Sequence, residues 1–267
     1  MTYQPGDAPR FDTTVPNVAR IYDYFLGGRD NYAADREAAA KILGLIPDAT
    51  AACHENRKFL QRVVRYLAEA GIRQFIDIGT GLPTRGNVHE IAQKHAPGAC
   101  VVYVDYDPVV VSHATALLAR GDNVAAIWGD LRSPEEILSH PDLTKLIDLS
   151  KPVAILLIAV LHFIKDDEDP PGFLKALKQA MAPGSYLAIS HITGDQIAKE
   201  DSLAAQDVYT NASAPVVPRT HEEIIQFFDH LMLINPGLVN ISKWPAELSV
   251  HGSTSRQLFY GGIAVKN

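Results

Sequence analysis

Two hydrophobic periods divide this chain. From residue 74 onward, short unbroken apolar runs are separated by segments with helical spacing. The runs at 74–78, 100–104, 125–128, 153–159 and 186–190 read as strands, and 87–95, 108–120, 134–139 and 172–181 read as helices between them. Strands without internal alternation, each followed by a helix, predict a parallel sheet covered on both faces. Before residue 70 the pattern is helical throughout. Residues 18–26 form one segment, ended by Gly27 and Gly28; residues 35–45 are rich in alanine; residues 55–70 put Phe59, Val63, Tyr66 and Leu67 on one face and stop at Gly71. The chain is therefore divided into an irregular arm and helical extension over 1–70, expected to cover the carboxyl edge of the sheet, and an α/β core over 71–267. Beyond the fifth strand, residues 195–209 read as a helix and 211–218 as a loop. Residues 220–231 read as a helix with Thr220 and Glu223 at capping-box spacing. Residues 238–244 and 258–265 are expected to close the sheet as an antiparallel pair.

The chemistry sits at the strand ends. Phe75-Ile76-Asp77-Ile78-Gly79-Thr80-Gly81 is a strand that runs through an acid into a glycine turn, where backbone passes close to a ligand. The second strand ends in Asp105, where a ribose lies in a nucleotide-binding βαβ unit, and the third in Trp128-Gly129-Asp130. A dinucleotide turn needs a third glycine, and Thr84 stands there, after Pro83. S-adenosylmethionine carries a sulfonium, an ammonium, ribose hydroxyls and an adenine amine but no phosphate, and acids at Asp77, Asp105 and Asp130 suit those donors and charges.

Composition narrows the partners. The chain has 267 residues, 47% of them apolar, enough for the core of one large domain. A net charge of −7 without any lysine or arginine run argues against a nucleic-acid partner. The longest apolar run, 153–161, is too short to span a bilayer, and the N-terminus lacks an apolar signal segment. Cys53 and Cys100 read as reduced thiols, so a cytoplasmic location is expected. No histidine-carboxylate cluster suggests a metal.

The three strand ends resemble motifs I, II and III of class I methyltransferases, and Ala182-Pro183-Gly184-Ser185-Tyr186-Leu187 resembles the turn into that fold's fifth strand. The block from Asn17 to Tyr32, with Arg219-Thr220-His221-Glu222-Glu223-Ile224, is similar to an actinobacterial family of S-adenosylmethionine-dependent methyltransferases of unknown substrate. The resemblance covers nearly the whole chain. It implies a Rossmann-like, mostly parallel seven-stranded sheet with helices on both faces, S-adenosylmethionine as cofactor, and transfer to an oxygen or nitrogen of a small molecule. A non-catalytic binder of the same cofactor, a sensor or partner subunit, is the alternative; a nicotinamide oxidoreductase is disfavoured by Thr84. The oligomeric state stays open.

The expected cofactor residues are Asp77, Gly79, Gly81, Asp105, Asp107, Asp130, Leu131, Tyr22 and Asn31. Asp107, followed by Pro108, also supplies a helix cap and so leaves Asp105 for the ribose. Leu131 and Trp128 are candidates for the adenine wall. Tyr22, Asn31 and Tyr32 read either as packing within the extension or as a lid over the methionine end. Arg20, Arg29 and Arg85 compete for the cofactor carboxylate. His162 and His191, after the fourth and fifth strands, are candidate general bases, although in-line methyl transfer does not require one.

Overall fold

Five parallel strands carry the fold, and the side chains alternate across them as period 2 demands. A computed structural model describes residues 12–84, 86–117, 121–245 and 258–267. The strands are β1 (Gln74–Ile78), β2 (Cys100–Asp105), β3 (Val124–Trp128), β4 (Ala154–Ile158) and β5 (Tyr186–Ile192). Later come β6 (Met232–Leu233), β7 (Val239–Asn240) and β8 (Phe259–Val265). The order along the sheet is β3-β2-β1-β4-β5-β8-β6, with β7 also paired to β8; β8 runs antiparallel to β5. Every residue of β1 and β4 is buried. Ile76, Ile78, Val102, Val104, Ile155 and Leu157 face one core, shared with α6 (Pro134–Leu138), α7 (Pro141–Leu146) and α8 (Pro170–Ala180). Phe75, Val101, Tyr103, Ala154 and Leu156 face the other, shared with α3 (Ala49–Glu69) and α4 (Val88–His95). The strand order reverses between β1 and β4, which puts a crevice at their carboxyl ends.

The mostly parallel sheet matches the expectation, but eight strands rather than seven are found among the described residues. The expected strand at 238–244 survives only as β7. Asn240 accepts from the Ser242 amide (3.0 Å) and hydroxyl (2.7 Å) and donates to the Phe259 carbonyl (3.0 Å), so side-chain bonds replace the ladder beyond it. After α9 (Lys199–Thr210), helix α10 (His221–Gln226) keeps its Thr220–Glu223 capping box but ends sooner than expected, in a run of tight turns through His230. The helix α7, begun by Pro141 after a His140 cap, was not foreseen. Helix α5 (Pro108–Leu117) starts where expected; its projected end at residue 120 lies outside the described residues.

The N-terminal segment is built into the same core. α3 buries Phe59, Leu60, Val63, Val64 and Leu67 beneath the sheet, and α1 (Val18–Phe25) and α2 (Ala33–Leu45) pack on it. Asp35, fully buried, ties these pieces together: it accepts from the amides of Asn17 and Tyr32 and from Arg20 Nε, each at 2.8 Å. Arg20 in turn donates to the Val15 carbonyl at 2.6 Å and so holds the arm. At the end of α1, Gly27 has φ +74, and a Cβ on Gly28 would collide with the Asp23 carboxylate.

Removing Asp35 strands the buried Arg20 guanidinium and two amides. Asp35→Ala should therefore lower unfolding free energy by about 3–5 kcal/mol in urea titrations, whereas exposed Glu37→Ala should change it by less than about 0.5 kcal/mol.

Candidate functional site

The β1 turn is shaped by two glycines with different tasks. Gly79 (φ +74) and Gly81 (φ +65) both lie in the left-handed region. A Cβ on Gly79 would run into the Val160 side chain, so the turn seats against the loop after β4. A Cβ on Gly81 would meet nothing and enter open space. That space is a cavity of about 730 Å³ at the carboxyl ends of β1 to β4. It is roofed by the arm and α1, and its far wall includes Phe163, Ile164 and residues 213–215. The Ser213 amide donates to the Pro16 carbonyl (2.9 Å), and the Val18 amide donates to Ser213 Oγ (3.1 Å), which stitches that loop to the arm.

The acids at the strand ends differ in how far they are already committed. Asp77, 4% exposed, accepts only the Thr80 hydroxyl (3.0 Å) among the described residues, and burial pushes its carboxyl up to about 6. Asp105 accepts from the amides of Gly81 (2.8 Å) and Asp107 (2.9 Å); burial lifts it to about 6 against those two bonds. Asp107 caps α5 through the Val109 amide (2.8 Å) and accepts from Asn17 Nδ2 (2.7 Å). Asp130 is spoken for. Arg132, two residues on, grips it through Nε (2.9 and 3.0 Å) and Nη2 (2.8 Å), reaches Glu168 with Nη1 (2.9 Å) and lies over the Tyr106 ring. The Asp130 carboxylate is thus bound to a guanidinium, and Gly129, Asp130 and Leu131 all line the cavity. The Trp128 indole donates to the Tyr106 carbonyl (2.8 Å), and Trp128 is absent from the cavity wall.

The N-terminal candidates separate. Tyr22 lines the cavity, but its hydroxyl donates to the Cys53 carbonyl (3.1 Å) and accepts from Asn56 (3.0 Å). Asn31 does not reach the cavity. It lines a smaller one of about 110 Å³ with Arg29 and Tyr32, and its amide donates to Asp23 Oδ2 (2.9 Å) and the Gly28 carbonyl (3.1 Å). The residue whose carboxylate it holds, Asp23, is among those lining the main cavity, and burial raises that carboxyl. Arg20 is committed to Asp35, and Arg85 lies outside the described residues. A cation absent from the sequence-based candidates, Arg57 of α3, lines the cavity, as does Arg20.

Neither histidine reaches the cavity. The chain turns at Ala159, which has φ +58, so that Ala159, Val160, Phe163 and Ile164 form the wall. His162 is 2% exposed and His191 fully buried. His191 Nδ1 donates to the Ile192 carbonyl (2.7 Å), which leaves Nε2 to accept from Arg219 (2.9 Å). Burial drives His191 down to about 3 and His162 well below its ordinary range. Both are neutral struts beneath the site, and Arg219 is braced further by Asp166 (2.7 Å) and the carbonyls of Leu161 and Ile164.

The sequence profile of a family described as S-adenosyl methyltransferase matches residues 5–267. The structure is similar to a Thermobifida fusca protein bearing an inferred methyltransferase assignment: 42% identity over 96% of this chain and 97% of that one, TM-score 0.89. It is also similar to a DUF574 family protein of Streptomyces avermitilis, at 40% identity over 97% of this chain and 100% of that one, TM-score 0.91. The plantazolicin methyltransferase BamL, solved with a triazolic desmethylPZN analogue and S-adenosylhomocysteine, shares the fold alone, at 12% identity over 94% and 96% of the chains, TM-score 0.55. No curated protein matches the sequence.

Because Asp77 is raised from about 4 to about 6 by folding, the native state holds more protons across that window and loses stability as pH rises through it. Asp77→Asn should stabilise the ligand-free protein near pH 7 by on the order of 2 kcal/mol, flatten the fall between about pH 4 and 6, and change little below it. Melting curves across pH test this.

Proposed function

The chain belongs to the S-adenosyl methyltransferase family, its cofactor is S-adenosylmethionine, and from that premise we propose methyl transfer to an oxygen or nitrogen of a small molecule in the same cavity. The observation that carries the reading is a pair of carboxylates, buried Asp77 and half-buried Asp105, with no cation in salt-bridge contact among the described residues. They suit a ligand that brings positive charge and hydroxyl donors, and they would repel a pyrophosphate. In this reading Asp105 takes the ribose hydroxyls and Asp77 the ammonium. The Gly79–Gly81 turn gives close backbone approach, and Gly129 to Leu131 border the adenine.

When bound, the cofactor supplies an electrophilic methyl group on sulfur. The protein's own contribution is alignment and exclusion of water. Val18, Leu26, Phe163 and Pro215 give the rest of the cavity an apolar lining, suited to a small molecule with a large apolar part. A non-catalytic binder would need no such space. We assign Asp23 to receive the proton that the acceptor loses as its bond to the methyl carbon forms. Its Oδ2 is held by the Asp30 amide (3.0 Å) and by Asn31, and burial raises its basicity.

Calorimetric titration should give micromolar binding of S-adenosylmethionine and S-adenosylhomocysteine and none of NAD, with Asp105→Ala losing more than about tenfold, or 1.4 kcal/mol. NAD binding alone would overturn the reading. Methyl-labelled cofactor, incubated with the small-molecule fraction of a cell extract, should yield a labelled product. Asp23→Asn should slow that reaction by about 10²-fold while leaving the affinity for S-adenosylhomocysteine unchanged.

A further inference from the structure

We propose that Arg57 and Thr84 form a receptor for the carboxylate of the cofactor's amino-acid end. Selection for an intact amino-acid head would then reside in the N-terminal helices as well as in the glycine turn. The inference rests on the cofactor reading above and goes beyond it in naming the carboxylate's partner. Its first support is an unmet hydrogen-bonding demand. Among the described residues, three buried side-chain polar atoms lack any partner, and two of them, Arg57 Nε and Thr84 Oγ1, belong to residues on the cavity wall. Arg57 Nε can only donate and the Thr84 hydroxyl can donate as well as accept, so a single acceptor group on the ligand satisfies both.

The remaining bonds of Arg57 leave its charge unneutralised. Nη2 donates to the Gly86 carbonyl (3.1 Å) and to Asn87 Oδ1 (3.2 Å), both uncharged, and no carboxylate lies within ion-pair distance among the described residues. These bonds hold the guanidinium against the segment that follows the glycine turn. Asn87 Oδ1 also accepts the Thr84 amide (3.2 Å), so one side chain fixes both members of the receptor. A guanidinium with a free Nε, already oriented by its neighbours, is suited to a carboxylate.

The second support is the arrangement of charge. Asp77 shares the strand face of Phe75, which α3 covers, and Arg57 is near enough to favour its ionised form. An acid and a cation side by side on one wall complement the ammonium and carboxylate of an α-amino acid. The other arginines considered are engaged elsewhere. Arg20 holds Asp35, Arg132 holds Asp130 and Glu168, and exposed Arg29 lines the smaller cavity.

The test is calorimetry on the full chain with S-adenosylhomocysteine, its decarboxylated analogue, which keeps the ammonium, and 5′-methylthioadenosine, which lacks both groups. The wild type should prefer S-adenosylhomocysteine to the decarboxylated analogue by at least about thirtyfold. Arg57→Met should erase most of that preference and leave methylthioadenosine affinity within about twofold. Thr84→Val, which keeps the volume and loses the donor, should reduce the preference by about three- to tenfold, and it carries the test if Arg57→Met fails to fold. A preference retained in both variants, or equal loss for all three ligands, would overturn the assignment while leaving the cofactor reading intact. Failure of the wild type to bind any of the three would remove both.

Discussion

Four hydrogen bonds run from the centre of the sheet to the roof of the cavity, and the site depends on that line. The Ala159 amide donates to Ser190 Oγ (3.0 Å), Ser190 Oγ to Asn56 Oδ1 (2.6 Å), Asn56 Nδ2 to Tyr22 Oη (3.0 Å), and Tyr22 Oη to the Cys53 carbonyl (3.1 Å). Each of the three side chains between the ends, Ser190, Asn56 and Tyr22, both receives and gives, in a part of the molecule where an unpaired polar group is costly. The line joins β4, β5, α3 and α1, elements that come from four distant parts of the chain. It also holds Ala159 in a backbone conformation that non-glycine residues adopt only at a cost. Tyr22 therefore acts as a keystone of the roof: its ring borders the cavity while its hydroxyl is consumed in support.

What could be read from sequence was local. Asp77, Gly79, Gly81 and Asp105 sit at strand ends whose apolar runs are visible, and a left-handed turn declares itself through glycine. Arg57 was hidden because its partners, Gly86 and Asn87, lie 29 and 30 residues away, and nothing in the helical pattern around it marks them. The Asp23 role was hidden in the same way, since Asn31 is conspicuous in sequence but serves to position the carboxylate eight residues earlier. His162 was placed by counting from the strand end. The positive φ at Ala159 bends the chain before that count applies, and the histidine turns under the sheet toward His191. At Asp130 an arginine two positions later is a local signal for the fork-shaped ion pair that the structure shows.

The electrostatics of the ligand-free cavity are unfavourable by construction. One carboxylate is held out of water and a second is half-buried beside it, the charge of Asp77 raises the proton affinity of Asp105, and the nearby Arg57 donates only to neutral oxygens. A core selected for stability alone would pair or replace such groups. Leaving them unpaired stores binding free energy that a complementary charged ligand recovers. The surroundings compensate with fully met networks, at Asp35 on one side and at Arg219 on the other.

The contact between Gly79 and Val160 divides the cavity by its freedom to diverge. On that side neither partner has room to grow, because any carbon added to Gly79 occupies the place of the valine. The opposite wall consists of the arm and the 213–215 loop, two surface segments joined through Ser213 and committed to no strand. Exchanging both together alters what the cavity admits and leaves the β1 turn untouched. The shape of the cavity is thus free to change at one wall and fixed at the other, where Val160 pins the glycine turn.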